Sequence, residues 1–373
     1  MSTDLHPSTQ LLQRNSEQFH GRILLVQPVE IAAIEVLQTI VPSLTVSTTQ
    51  YDIFQAAEKL VPAQFETHHV ATKPYDQVIV FLPKSDAEIA MTLHWAAHTI
   101  EQEGEVILVG QNDAGIKSAK KTLEAMIGPI SHSDAARHSA LYVARRTHLP
   151  PVFDLFSYFH NYEVALSTSH FALGTLHCYS LPGVFSHGRL DEGTELLLAN
   201  LPEHVQAKSI LDWGCGAGVI GAALSNRYPE SRIDLTDVSA LAIAATEKTI
   251  QENNLANCRV FPSAVFSGVK GAYDYILANP PFHKGRDTHY GDSETFLKQA
   301  KQHLTEHGQL IIVANSFLHY EQFIEESFGY VQTITKTNKY KVLQTVKTPK
   351  QGVKKFKKKS RTPDEVQDEN MEW

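Results

Sequence analysis

"SILDWGCGAGVIGAAL", residues 209 to 224, opens as an apolar strand ending at Asp212, turns through alternating glycines and runs on into a helix. Glycine takes the left-handed backbone without strain and lets a ligand approach the chain closely. Gly214, Gly216 and Gly218 at such a turn therefore point to a bound cofactor, with Cys215 carried in the same loop. Three glycines there would weaken the start of the helix unless something were gained. "GAGVIG" (216 to 221) also fits the GxGxxG dinucleotide pattern, which alone is a weak match. About twenty residues further on, Asp237 ends the next expected strand, in "RIDLTDVSA", where a carboxylate can accept both ribose hydroxyls of an adenosine cofactor. NAD and S-adenosylmethionine both contain that ribose. The plainer use of Asp237, as a cap on the following helix, is one that Ser239 could equally serve.

The choice between the two cofactors comes from "YILANPPFHKG" (275 to 285). Proline fixes its own φ and disfavours helical geometry in the residue before it, so Asn279 and Pro280 are held extended just past a buried strand. An exocyclic amine on a base is a poor nucleophile because its lone pair is delocalised into the ring. Two acceptors, the Asn279 side-chain oxygen and the Pro280 carbonyl, can bond both amine hydrogens, aim the lone pair at a methyl donor and stabilise charge developing on nitrogen. Phe282 offers a flat face for stacking a base, and a base in a helix would have to be flipped out to reach it.

The surrounding chain supports an α/β fold. Short apolar runs alternate with longer amphipathic stretches, as in parallel strands covered by helices on both faces. With 373 residues and 42% hydrophobic content, two cores are expected. The halves repeat one grammar: "YDQVIVFLPKS" (75 to 85) and "EGEVILVGQN" (103 to 112) in the first match "YDYILANPPFH" (273 to 283) and "HGQLIIVANS" (307 to 316) in the second. In the first half the opening strand "GRILLVQP" runs into Gln27-Pro28 with no glycine cluster, so it keeps the scaffold without the loop. The stretch from about Pro150 to Phe185 lacks clear periodicity and is read as the inter-domain connection. The expected units are a degenerate domain over 1–160, a catalytic domain over 161–346, and a tail over 347–373.

No run reaches the ~18 apolar residues of a membrane helix, and "MSTDLHPSTQ" has no secretory features, so a cytoplasmic protein without membrane contact is expected. Cys178, Cys215 and Cys258 form no CxxC pair and are read as reduced thiols. The 19 histidines show no ligand spacing, and no metal is expected. The net charge of −8 is unevenly spread: the basic residues from Lys347 to Arg361 precede the acids from Asp364 to Glu372.

These motifs, together with "LPGVFSHGRLDEGTELLL", "DQVIVFLPKSDAE" and "VILVGQNDAGIKSA", resemble the S-adenosylmethionine-dependent 16S ribosomal RNA guanine-N2 methyltransferases of the RsmC type, over most of residues 8 to 346. The resemblance implies two tandem Rossmann-like methyltransferase domains, the N-terminal one degenerate, S-adenosyl-L-methionine as cofactor, and methylation of guanine 1207 in the small ribosomal subunit by a monomer. By position, it implies that Asp212, Gly214, Cys215, Gly216 and Gly218 line the cofactor loop and Asp237 holds the ribose. Ser263 and Ala264 would lie beside the adenine, and Asn279, Pro280 and Phe282 would hold the guanine. Ala264 stands where the family commonly has a polar residue, so the adenine bond would be absent or made by backbone. The segment from Tyr158 to Thr175 is longer than usual, and the arm from Lys347 is an extension.

The same loop also serves adenine-N6 and protein-glutamine amide methylation; a nicotinamide oxidoreductase and a non-catalytic RNA-binding assembly protein are further alternatives. An acidic chain must grip RNA through local patches. Candidates are Lys117, Lys120 and Lys121, Lys284 and Arg286, Lys336, Lys339 and Lys341, and the arm itself, which is equally readable as a solvated tail.

Overall fold

The computed structural model describes residues 5–167, 172–201, 207–280 and 289–348. Phe282, Lys284, Arg286 and all of the arm beyond Thr348 lie outside the described residues.

The first unit carries strands β1 (Arg22–Val26), β2 (Ser43–Thr48), β3 (Ala63–Phe65), β4 (Tyr75–Phe81), β5 (Ile100–Gln111), β6 (Ile130–Ala136) and β7 (Ser139–Arg145). A hairpin, β8 (His160–Ser167) and β9 (Ala172–Ser180), follows. The second unit carries β10 (Ser209–Trp213), β11 (Arg232–Asp237), β12 (Cys258–Pro262), β13 (Tyr273–Ala278), β14 (Leu304–Asn315), β15 (Gln332–Lys336) and β16 (Tyr340–Val346). Helices α1 (Pro7–Arg14), α2 (Ile31–Gln38), α3 (Tyr51–Ala57), α4 (Asp86–Ala97) and α5 (Ile116–Met126) belong to the first unit. Helices α6 (Glu192–Ala199), α7 (Val219–Arg227), α8 (Ala240–Glu252), α9 (His289–Gln299) and α10 (Tyr320–Phe328) belong to the second.

The two sheets have one topology: β3-β2-β1-β4-β5-β7-β6 and β12-β11-β10-β13-β14-β16-β15. In each, the last strand inserts antiparallel beside the fifth, which departs from the 3-2-1-4-5-6 order of dinucleotide folds. Duplication reaches irregular details. The register slips between Tyr75 and Gln77 in one sheet and between Tyr273 and Tyr275 in the other. Glu103 and His307, each before a glycine in the long fifth strand, both have φ of 65°. Apolar strand cores such as Ile23 to Val26 and Ile276 to Ala278 are buried on both faces, as parallel strands covered by helices must be.

The stretch read as an inter-domain connection contains the β8–β9 hairpin, which packs on α7 and α8. Its alternation was legible only faintly, because the inward positions of β9 are Leu176, Cys178 and Ser180, two of them small. Met91 of α4 joins the same cluster, so the hairpin, the first unit and the second unit share buried surface.

Helix α7 lies very close to β11. A Cβ placed on Gly221 would overlap Leu235 Cδ2, and Leu235 is fully buried. Gly221→Ala is expected to lower the unfolding free energy by about 1–3 kcal/mol in urea denaturation. Leu235→Ala in the same chain should recover part of that loss. Unchanged stability for the single variant would mean that helix and strand have room to spare.

Candidate active site

The parallel strands β12, β11, β10 and β13 end on one side of the sheet, and the chain reverses its strand order between β10 and β13. Ligands of open α/β sheets sit in the crevice at such a reversal. The glycine loop, Asp237, Ser263 and Asn279 all lie at these strand ends.

Gly214, Gly216 and Gly218 have φ of 71°, 57° and 78°, the left-handed values that made glycine the expected residue. A Cβ on Gly214 or Gly216 would meet nothing within 4 Å, so the loop faces open space. Four of its N–H groups turn into the fold. Gly214 and Cys215 N–H both donate to the Thr236 carbonyl at 2.8 and 2.9 Å, and Gly218 N–H donates to the Cys215 carbonyl at 2.8 Å. Gly216 N–H donates to Asp237 Oδ2 at 3.0 Å. These four donors are engaged within the fold, and over Gly214 and Gly216 the loop offers a shaped surface to a ligand.

Asp237 also accepts Ser239 N–H on Oδ1 at 2.9 Å, which leaves each carboxylate oxygen a lone pair for a ligand hydroxyl. Ser239 begins α8 but makes no side-chain cap. Crowding raises the Asp237 carboxyl above its ordinary value, burial being the main cause. Cys215 turns its thiol inward toward Thr246 Oγ1 at 3.4 Å, and burial, then Asp237 and Asp212, hold that thiol well above its usual range. Ser263 sits one residue past β12, its hydroxyl donating to the Val265 carbonyl and accepting Gly268 N–H. The Ala264 N–H, the backbone donor open to an adenine, donates to Ser267 Oγ at 3.1 Å.

Asn279 is fixed more firmly than its sequence position indicates. Its Nδ2 donates to Asp191 Oδ2 at 2.9 Å and to Thr194 Oγ1 at 3.0 Å. A carboxylate only accepts, so this pairing decides which end of the amide is which. Asn279 Oδ1 is buried and has no hydrogen-bond partner among the described residues. A buried acceptor left open costs about 1–3 kcal/mol and calls for an explanation; a donor on a bound ligand is one. Pro280 is buried beside it. Asp191 and Thr194 were not identified from sequence as site residues: "DEGT" reads as a helix start, and Asp191 does cap α6 through Thr194 N–H at 2.9 Å. Its second use, on a residue far along the chain, leaves no local signal.

Of the basic candidates, Lys341 is withdrawn from any RNA surface: it is 3% exposed, paired with Glu321 and donating to the Leu318 carbonyl. Lys339 bonds Glu192 at 2.8 Å on the exposed surface.

Residues 9–162 match the family model described as "Methyltransferase small domain N-terminal", and residues 175–344 match "Methyltransferase small domain". A protein of Aliivibrio fischeri (strain MJ11) named "Ribosomal RNA small subunit methyltransferase C" is 38% identical over 91% of this chain and 98% of its own. The chain belongs to the ribosomal RNA small subunit methyltransferase C family. A Vibrio vulnificus member is 36% identical over 93% of this chain and all of its own. Among solved structures, a T. thermophilus protein described as a 16S rRNA N2 G1207 methyltransferase (RsmC), in complex with AdoMet and guanosine, has the same fold. Its TM-score is 0.78 at 24% identity over 93% of each chain. Family membership agrees with the tandem α/β units, the second of which matches the methyltransferase model. Among the described residues, no helix is long and apolar enough to cross a membrane.

Asp212 supplies a pH-dependent test. Its Oδ2 accepts Gly221 N–H at 2.9 Å, its Oδ1 is buried without a partner among the described residues, and burial, opposed by that bond and reinforced by Asp237, pushes its carboxyl up to about 7. The folded state therefore holds a proton more tightly than the unfolded chain, whose value is near 3.8. The associated stability is complete below about pH 3.8 and is lost as pH rises from there to about 7, above which it changes no further. Asp212→Asn keeps an acceptor for Gly221 but cannot ionise, so its melting temperature relative to the parent should rise between pH 5 and pH 8 in cofactor-free protein. A constant difference across that window would refute the assignment.

Proposed function

We propose that this protein transfers the methyl group of S-adenosylmethionine to the exocyclic N2 of a guanine in 16S ribosomal RNA of the small subunit, the nucleotide being guanine 1207. The observation that carries this reading is the buried, open Oδ1 of Asn279, its amide orientation set by Asp191, at the end of β13 on the side of the sheet that carries the glycine loop and Asp237. The names of the family members and the description of the T. thermophilus structure support the RNA and the base.

The residues fit the cofactor: open space over Gly214 and Gly216 and a carboxylate with room for two ribose hydroxyls. Bound S-adenosylmethionine supplies an electrophilic methyl group on a sulfonium. Asn279 Oδ1 and the Pro280 carbonyl accept the two amine hydrogens, which turns the nitrogen lone pair toward that methyl and stabilises the positive charge the nitrogen gains. Once the N–C bond forms and the S–C bond breaks, the methylated nitrogen is acidic and loses a proton to water. Asp191 acts one step back, as a positioning residue: a flipped Asn279 amide would set Oδ1 against the carboxylate.

Labelled S-adenosylmethionine incubated with small subunits lacking this modification should place label in N2-methylguanosine after RNA digestion. Label in N6-methyladenosine or in ribosomal protein would overturn the substrate and keep the amine-orienting chemistry. Asn279→Ala should lower kcat by about 100-fold or more with S-adenosylmethionine affinity reduced only modestly, on the scale of losing one transition-state donor or acceptor. Asp237→Ala should act chiefly through cofactor affinity. Asp191→Asn keeps the helix cap but removes the preference for one amide orientation, so kcat should fall while KM for the cofactor stays near the parent's. A KM effect alone would argue against the positioning role.

A further inference from the structure

The loops that follow β2 and β11 meet where the two units join. Tyr51 N–H donates to the Val238 carbonyl and Ala240 N–H to the Thr49 carbonyl, both at 2.8 Å, closing an antiparallel bridge between Gln50 and Ser239. Because β2 ends at Thr48 and β11 at Asp237, Thr49 is equivalent to Val238, Gln50 to Ser239 and Tyr51 to Ala240. Each unit thus gives the same donor to the same acceptor of the other, around a local two-fold axis. Ser239, at the centre of the bridge, is also the residue whose N–H holds Asp237 Oδ1 at 2.9 Å.

One turn along α3, Gln55 Oε1 lies 3.5 Å from the Ser267 hydroxyl, which accepts the Ala264 N–H. The same short helix therefore reaches both loops that flank the expected adenosine. The first unit braces this contact from behind. Gln27, with φ of 56°, stands where Gly214 stands in the second unit. Its Nε2 donates to Thr49 Oγ1 at 2.8 Å, and its Oε1 accepts Thr49 N–H at 3.1 Å. The side chain that replaced the glycine loop fixes the residue whose carbonyl receives Ala240.

We infer that α3 of the first unit is a positioning element of the cofactor site, holding the Val238–Ala240 turn so that Asp237 is set for the ribose before the cofactor arrives. The inference rests on the assignment of Asp237 to that ribose. Preorganisation of this kind acts on affinity, because ordering a loop on binding subtracts from the free energy gained. It predicts a role for the degenerate unit in cofactor binding that is separate from RNA contact.

The bridge can be cut without altering either helix. Tyr51 and Ala240 are the first residues of α3 and α8, a position that accepts proline, and the residues before them are already extended, at φ −99°, ψ 119° for Gln50 and φ −95°, ψ 126° for Ser239. Tyr51→Pro removes the N–H and the ring, Tyr51→Ala the ring alone. Titration calorimetry with S-adenosylmethionine on the full chain should show Tyr51→Pro binding about three- to ten-fold more weakly than Tyr51→Ala, the scale of one hydrogen bond. KM for the cofactor should rise while kcat at saturation stays constant. In an Asp237→Ala background the proline should add nothing, whereas general destabilisation would add fully. Ala240→Pro repeats the test from the other side and decides it if Tyr51→Pro does not fold. Parent-like binding in the proline variants, or an undiminished effect beside Asp237→Ala, would overturn the inference and leave the cofactor assignment standing. A parent chain that takes up no S-adenosylmethionine would bring down both.

Discussion

The Oδ2 atom of Asp191 accepts hydrogen bonds from two donors that the chain brings from far apart, the Thr194 N–H of its own helix and Nδ2 of Asn279 at the end of β13. The first bond stops α6 from fraying where four N–H groups would otherwise lack partners. The second fixes an amide that, left free, would turn to satisfy itself. Because one oxygen does both, the placement of α6 against the sheet and the direction of Asn279 Oδ1 are the same constraint. The open acceptor survives burial only because everything else on that side chain is already bonded.

The duplicated unit shows what happens when this economy is abandoned. At the corresponding strand ends of the first unit, Gln27 replaces the first glycine and Thr48 replaces the acid, and the amide bonds Thr49 through both of its ends. A polar side chain that closes on its neighbours costs little to bury but has nothing left for a ligand. In the second unit, Asp212 Oδ1, Thr236 Oγ1 and Asn279 Oδ1 are all buried and unpartnered among the described residues, at the ends of β10, β11 and β13. Scaffold and site can thus be separated: the sheet order, the register slip and the left-handed residue before Gly104 and Gly308 persist in both copies, while the open atoms at the ends of β10, β11 and β13 have no counterpart at the ends of β1, β2 and β4 among the described residues.

This separation explains what could be read from the sequence. The strands around "SILDW" and "YDYILA" were legible because burial on both faces demands apolar runs, and "RIDLTD" because Ile233 and Leu235 alternate along it. The glycines were legible because positive φ selects them. Asp237 and Asn279 were singled out by their expected place at strand ends, which is where they lie. The internal bonding of the loop N–H groups was not legible, since Thr236 contributes a carbonyl, which every residue has. Asp191 was hidden for a related reason: a helix cap is visible within four residues, whereas its contact with Asn279 depends on how α6 packs. The β8–β9 hairpin was missed because small inward residues carry a weak alternation signal.

The charge of the site adds an independent constraint on what it can hold. Asp212 is fully buried and Asp237 partly so; burial raises both carboxyls, and Asp237 adds to the rise at Asp212. Without a ligand, such a pair raises the energy of the folded state at neutral pH. A pyrophosphate would bring further negative charge to a loop whose Gly214, Cys215, Gly216 and Gly218 donors are engaged. A sulfonium brings a positive charge, which favours the ionised form of both carboxyls. The dinucleotide pattern in this loop is thus matched by spelling, while four of its N–H donors are spent within the fold.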